Sequence, residues 1–317
     1  MQQDLKLKVI EHAKKWIAAN KLTQNDAAKK TGITAGYLSQ MLRGILITAV
    51  DGKDVPISDK QFYHLASATG FAVNKQYWGT VMTDEFRRII FELTIAKTEP
   101  RVTTIINETG LGKTYAVDKF CMENALHTYK ITVNSMHKVK DIIHLLAQAL
   151  GIGRVTSITQ NFSLDTLMSV SVKLRELKMM GHQPLIIIDE AENLKLPVIQ
   201  MLKGLYDAVV GYASIVIIGT SQLTDALERM SRSNRNGAPQ FYRRVKAGIR
   251  VIQSDKDFTP FFKKFGVEDK EFCRLLTSMC NNYGELHDYL EPALREAGEK
   301  PLTENMFRLM YNLPKYK

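Results

Sequence analysis

Cysteine is scarce in this sequence. Its three, Cys121, Cys273 and Cys280, form no CxxC pair and stand near no histidine cluster. That excludes a disulfide scaffold or a thiolate metal framework and predicts reduced thiols. Long apolar runs are missing too: nothing approaches the roughly 20 residues needed to span a bilayer. The opening residues, MQQDLKLKVIEHAKKW, are charged throughout and lack an apolar signal core. The sequence therefore predicts a cytoplasmic protein with no membrane partner. No repeat of fixed period and no low-complexity tract appears, which excludes solenoids and biased linkers.

What is present is ordinary soluble composition with a strong basic bias. The 317 residues are 45% hydrophobic and 24% charged, with a formal net charge of +10. Such a balance favours contact with a polyanion such as nucleic acid. The bias has a local focus. Residues 229–254 hold seven basic side chains (Arg229, Arg232, Arg235, Arg243, Arg244, Lys246 and Arg250) and no acid. Within it, residues 231–239 read as a polar, flexible loop, and Arg232 and Arg235 are candidate DNA contacts.

The grammar of the chain changes near Asp84. Before it, residues 1–80 read as short helices with turn signals between them. Leu5, Val9, Ala13, Trp16 and Ile17 make a helical stripe, residues 51–56 break the pattern, and a helix follows Ser58. After it, apolar runs at 102–106, 129–133, 185–188, 215–218 and 249–252 alternate with helical segments such as 139–150, 164–179 and 198–209. Short apolar runs separated by helices predict a parallel sheet covered on both faces. Beyond Ser254 no strand is evident, and three short helical stretches close the chain. The expected division is a helical domain at 1–80, an α/β domain at 81–253 and a helical subdomain at 254–317.

The central motif is Asn107-Glu108-Thr109-Gly110-Leu111-Gly112-Lys113-Thr114, followed by Tyr115. It falls between a predicted strand and a predicted helix, as a phosphate-binding loop must. Gly110 and Gly112 let backbone N–H groups converge on phosphate oxygens, and the next helix adds its positive dipole end. Lys113 would neutralise the outer phosphates of ATP, and the Thr114 hydroxyl would coordinate Mg2+. The usual leading glycine is replaced by Asn107, the residue type that best tolerates left-handed backbone. The second half of the site is Leu185-Ile-Ile-Ile-Asp189-Glu190. An acid at the carboxyl end of a buried strand faces the ligand crevice of an open α/β sheet. Asp189 would hold magnesium through water, and Glu190 would polarise the attacking water.

In the N-terminal part, the run from Leu22 to Gly44 resembles the helix-turn-helix of phage repressors. Thr23 caps the first helix, Ala28 is small where the helices cross, Gly32 turns the chain, and Ile33 and Leu38 fill the core. Tyr37, Gln40 and Arg43 would face bases, and Lys29 and Lys30 would touch phosphates, although such units also dock on proteins.

The order of strands, with Asp-Glu after the third and a helical tail, resembles the AAA+ ATPases over residues 84–317. The resemblance implies a P-loop fold with a parallel sheet, and a polar sensor at the end of the fourth strand, here Thr220 or its neighbour Ser221. It also implies an arginine finger offered to the next subunit, for which Arg244 is preferred on register and Arg243 is the alternate. A tail arginine is implied as well, but Gly284-Glu-Leu-His287 puts histidine there, so either the role is lost or Arg295 fills it. With its helix-turn-helix, the whole layout resembles transposition ATPases of the phage Mu B type. That implies a DNA-stimulated ATPase that polymerises on double-stranded target DNA and recruits and activates a transposase. A helicase loader, and a regulator whose core is a nucleotide switch, are the competing readings.

Overall fold

Apolar residues three and four apart make the first helix, α1 (Gln3–Ala19), amphipathic, and its Val9, Ile10, Ala13 and Trp16 are buried. The computed structural model describes residues 1–50, 53–73, 77–153, 162–233 and 237–314. They fall into two units, Met1–Gln76 with Asp118–Tyr129, and Tyr77–Val117 with Lys130–Lys317. Among the described residues no helix is long and apolar enough to cross a membrane.

In the first unit, α2 (Gln24–Thr31) opens on Thr23, whose hydroxyl accepts from the Asp26 N–H at 3.2 Å. It stops at Gly32, where φ of 67° supplies the left-handed residue that turns the chain. After it, α3 (Ala35–Leu42) buries Leu38 and Met41, and α4 (Asp59–Thr69) buries Phe62, Leu65 and Ala66 in the same core. Between α3 and α4 the chain pairs as an antiparallel hairpin, β1 (Ile47–Val50) with β2 (Lys53–Pro56). The sequence reading expects only a break there. Asp51-Gly52, the dipeptide between the two strands, is a two-residue hairpin signal. The segment 118–129 completes this unit: the Trp16 indole donates to Met122 O at 2.7 Å, and Ala125 N donates to Asn20 Oδ1 at 2.9 Å.

The second unit begins with α5 (Asp84–Thr98), capped by the Thr83 hydroxyl. It then alternates β3 (Val102–Ile106), α6 (Lys113–Glu123), β4 (Thr128–Thr132), α7 (Val139–Ala149), α8 (Phe162–Met179) and β5 (Leu185–Asp189). A single 3-10 turn, Ala191–Asn193, leads to α9 (Leu196–Val209), β6 (Ser214–Gly219), α10 (Ser221–Arg232), α11 (Ala238–Lys246) and β7 (Ile249–Val251). The sheet order is β4-β5-β6-β3-β7, with parallel pairing at β5–β6, β6–β3 and β3–β7. Every residue of β5 and β6 is buried, because their aliphatic runs are covered on both faces. The expected α/β core with a parallel sheet is what the chain builds. The chain leaves β3 for the far edge at β4 and returns strand by strand, which makes the carboxyl end of β3 a topological switch point.

Among the described residues four helices, not three, follow Ser254: α12 (Thr259–Phe265), α13 (Lys270–Met279), α14 (Tyr283–Ala297) and α15 (Glu304–Met310). Their aromatic cluster includes Phe258, Phe272 and Phe307, and it also buries Leu111 of the glycine loop. The ends of the expected loop at 231–239 are helical instead, since α10 runs to Arg232 and α11 starts at Ala238; residues 234–236 lie outside the described residues.

Candidate nucleotide-binding site

The end of β3 passes through the glycine loop into α6, so Lys113 and Thr114 occupy that helix's first turn. Gly110 and Gly112 hold φ of 77° and 80°, the left-handed region that turns successive N–H groups inward. Asn107 does not need that conformation, contrary to the sequence rationale, because it is absent from the residues with positive φ. Its place is explained by hydrogen bonds. The Asn107 N–H donates to Gly219 O at 3.1 Å and its Nδ2 donates to Ile252 O at 3.2 Å, tying the loop to both flanking strands.

Lys113 folds back over the loop, donating to Asn107 O at 2.7 Å and Glu108 O at 2.8 Å. Burial pushes its pKa down, while the charges of Glu192, Glu108, Asp189 and Glu190 pull it up. Asp189, at the end of β5, is fully buried. Its Oδ1 accepts from Glu190 N at 3.0 Å, and its Oδ2 lies 3.1 Å from Lys130 Nζ. Glu190 itself is exposed and sits at φ 55°, ψ 39°. Holding a non-glycine residue there costs on the order of 1–3 kcal/mol, a strain concentrated at functional sites.

Four buried polar atoms of this region have no hydrogen-bond partner: Asn107 Oδ1, Asp189 Oδ2 (which has only its ion pair), Glu192 Oε2 and, just after β6, Thr220 Oγ1. Thr220 stands at the N-cap of α10, yet its side chain caps nothing. A buried unpaired polar group costs about 1–3 kcal/mol, so these atoms are suited to a ligand that completes them. A glycine cradle, an ammonium, a buried carboxylate and an unpaired hydroxyl together fit a magnesium nucleotide. Among the described residues no group of three or more His, Cys, Asp or Glu could hold a metal by itself.

The AAA domain family matches residues 96–227, the stretch that carries this geometry. The Mu-like prophage FluMu DNA transposition protein B of Haemophilus influenzae is 22% identical over 285 residues, covering 88% of this chain and 92% of that one. The ORC1 protein of Aeropyrum pernix, solved in complex with DNA, superposes with a TM-score of 0.50 at 16% identity. That match covers 72% of this chain and 64% of the ORC1 protein's length. A Walker-type ATPase of Pyrococcus abyssi gives 0.50 at 15% identity, covering 71% and 72%. Over residues 96–227 the chain is similar to AAA domains, and over most of its length to a Mu-like transposition protein B. The resemblance read from the sequence holds, and the solved structures support the fold.

Around the glycine loop the remaining candidates sort by what holds them. Thr109, Thr114 and Tyr115 are exposed, and the Tyr115 hydroxyl lies 2.5 Å from Thr80 Oγ1. Arg244, preferred on sequence, is engaged within its own chain: it pairs with Asp207 at 2.7 Å, donates to Gln240 O, and lies over the Tyr206 ring. Arg243, one residue before, is exposed. In the tail, His287 meets Asp288 and the edge of Trp78, and Arg295 pairs with Glu291 one turn back. The tail reaches the glycine loop by other residues. Gly284 N donates to Gly110 O at 2.8 Å, and a Cβ on Gly110 would lie 2.2 Å from Asn282 Oδ1. Next to them, the Tyr283 hydroxyl donates to buried Glu85 at 3.1 Å. Sequence reasoning missed Lys130, Glu192, Asn282 and the Glu85–Tyr283 pair. Only Lys130 left a signal, as a charge inside an apolar strand.

In the first unit, Lys29 and Arg43 are exposed, while Tyr37 and Gln40 are half-buried, Tyr37 against the helical core. Lys30 is a correction. Its ammonium donates to Thr128 O and lies over the Tyr129 ring, and burial pushes its pKa down to about 8. It is turned inward and does not present a charge to phosphate. Arg232 is exposed and paired with Glu228 at 3.0 Å, and Arg235 lies outside the described residues.

Proposed function

We propose that this protein is a DNA-stimulated ATPase that assembles on double-stranded target DNA and there recruits and activates a transposase. The observation that carries the reading is a conjunction. A phosphate loop, a buried strand-end acid and an unpaired hydroxyl meet at one sheet edge, in a chain aligned over 88% of its length with a transposition protein. The proposed division is 1–80, 81–253 and 254–317, for the DNA- or protein-docking head, the ATPase core and the tail.

In this reading the loop from Asn107 to Tyr115 cradles the phosphates of ATP through the N–H groups that follow Asn107, and Lys113 swings from its loop carbonyls to the outer ones. Thr114 and Asp189 would hold Mg2+, which neutralises charge on the transferred phosphoryl group. Glu190 orients and deprotonates the attacking water, and Thr220 satisfies its hydroxyl on the phosphate. The arginine pair at 243 and 244 supplies the guanidinium to the site of a neighbouring copy, Arg243 being the exposed member. Lys29, Tyr37, Gln40, Arg43, Arg232 and Arg235 face DNA, and the basic excess makes that binding electrostatic and sequence-tolerant. Imaging of the protein on long duplex DNA tests the proposal. Continuous coverage with ATP and its loss with ADP is the expected result. Coverage indifferent to nucleotide would return the core to a passive role.

A further inference from the structure

Asp189 is fully buried at the end of β5. Its Oδ1 accepts the Glu190 N–H at 3.0 Å, while its Oδ2 has no hydrogen bond and faces only the Lys130 ammonium, at an ion-pair distance of 3.1 Å. Lys130 comes from β4, the edge strand beside β5, and its side chain is 18% exposed. A buried carboxylate without a counter-charge is costly, so the ammonium neutralises it in the protein alone. The same oxygen is the one through which Asp189 would serve a divalent cation. Two cations against one carboxylate oxygen repel each other strongly in a poorly hydrated site.

We propose that Lys130 is the resting counter-ion of Asp189 and sets the magnesium requirement of the site. The ammonium must leave Oδ2 before a divalent cation or its bound water engages there. A lysine suits such an exchange, because its flexible four-carbon stem carries a compact charge toward water. An arginine fork would bind the carboxylate at two points and release it less readily. Lys130 is thus a positioning residue: it touches the acid, not the nucleotide. The inference rests on Asp189 facing magnesium, and the test separates the two claims.

The test is a melting curve of the full chain with a saturating non-hydrolysable ATP analogue, from EDTA through rising Mg2+. A wild-type Tm that climbs with Mg2+ tests the site itself, and a flat response would sink both claims. Against that curve, Lys130→Met should melt lower in EDTA, where Asp189 is left unpaired, and converge with wild type at saturating Mg2+. Its Mg2+ midpoint should fall on the order of tenfold, the size of a typical coupling between two ligands at one protein. Lys130→Gln, neutral but still able to donate to Asp189, should shift the midpoint the same way if the methionine variant does not fold. Mn2+ binding followed by electron paramagnetic resonance should show the same tightening without reference to turnover. Equal destabilisation at every Mg2+ concentration would make Lys130 merely structural. A raised or unchanged midpoint would mean the ammonium stays when the metal arrives. Either result overturns the proposal.

Discussion

Charge at single residues is governed here by burial more than by residue type. Lys30 and Lys29 are adjacent lysines on one helix, yet Lys29 is exposed and Lys30 is drawn in toward Thr128 O and Tyr129. Burial lowers the Lys30 pKa to about 8 in the fold, against an unfolded value of about 10.4. Between those values the unfolded chain binds more protons, so the Lys30 contribution to stability rises with pH there. Below about pH 8 the cost of its buried charge is fully present. Denaturation of wild type and Lys30→Met across pH 7.5 to 10 should therefore show wild type gaining relative to the variant. A parallel pair of curves would mean Lys30 stays hydrated. The same variant should leave the salt dependence of DNA binding unchanged, because this ammonium does not face the polyanion.

At the level of elements, the strands are the most legible part of the sequence. Pattern and structure agree to the residue on β3, and to within one residue at each end on β5, β6 and β7; on β5 and β6 this is because strands buried on both faces are near-continuous aliphatic runs. The phosphate loop and Asp189-Glu190 are legible because backbone geometry and chemistry are local there. What escapes is what depends on distant partners. Asn107 is justified by Gly219 and Ile252, Asp189 is balanced by a lysine on another strand, and Asn282 and Gly284 approach Gly110 from the tail. No local pattern encodes those pairings. The hairpin at 47–56 is signalled by Asp51-Gly52, but such short strands beside a polar turn read as a break. The end of α10 gives a prediction at this scale. Arg232 is 81% exposed and its pair with Glu228 is one helical turn long, so it is free to exchange partners at little cost. Replacing Arg232 and Arg235 together should weaken duplex binding and flatten the log–log salt plot by about 0.9 for each phosphate no longer neutralised. An unchanged slope would remove this end of the helix from the DNA face.

For the whole molecule, the proposed function gives the net charge of +10 to DNA and the exposed arginine of α11 to a neighbouring copy. If Arg243 acts across a subunit boundary, Arg243→Ala should bind ATP but hydrolyse it slowly on DNA, with a loss on the order of a thousandfold. Arg244→Ala should hydrolyse more nearly normally, because its guanidinium is held by Asp207 in its own chain. Mixing Arg243→Ala with Glu190→Gln protein rebuilds complete sites wherever an intact arginine meets an intact glutamate. Hydrolysis above that of either variant alone is expected, and no rise on mixing would confine the arginine to its own subunit or to DNA.

The expectations about catalysis depend on the site at the end of β3 binding ATP, and one titration reaches that point without DNA or transposase. Equilibrium binding of a fluorescent ATP analogue should be lost in Lys113→Ala, because the ammonium now resting on Asn107 O and Glu108 O is the charge that meets the outer phosphates. Glu190→Gln should bind as tightly as wild type and only turn over slowly, because its carboxylate acts on water and not on the bound phosphates. A Lys113→Ala protein that binds the analogue as well as wild type would contradict the account at its centre.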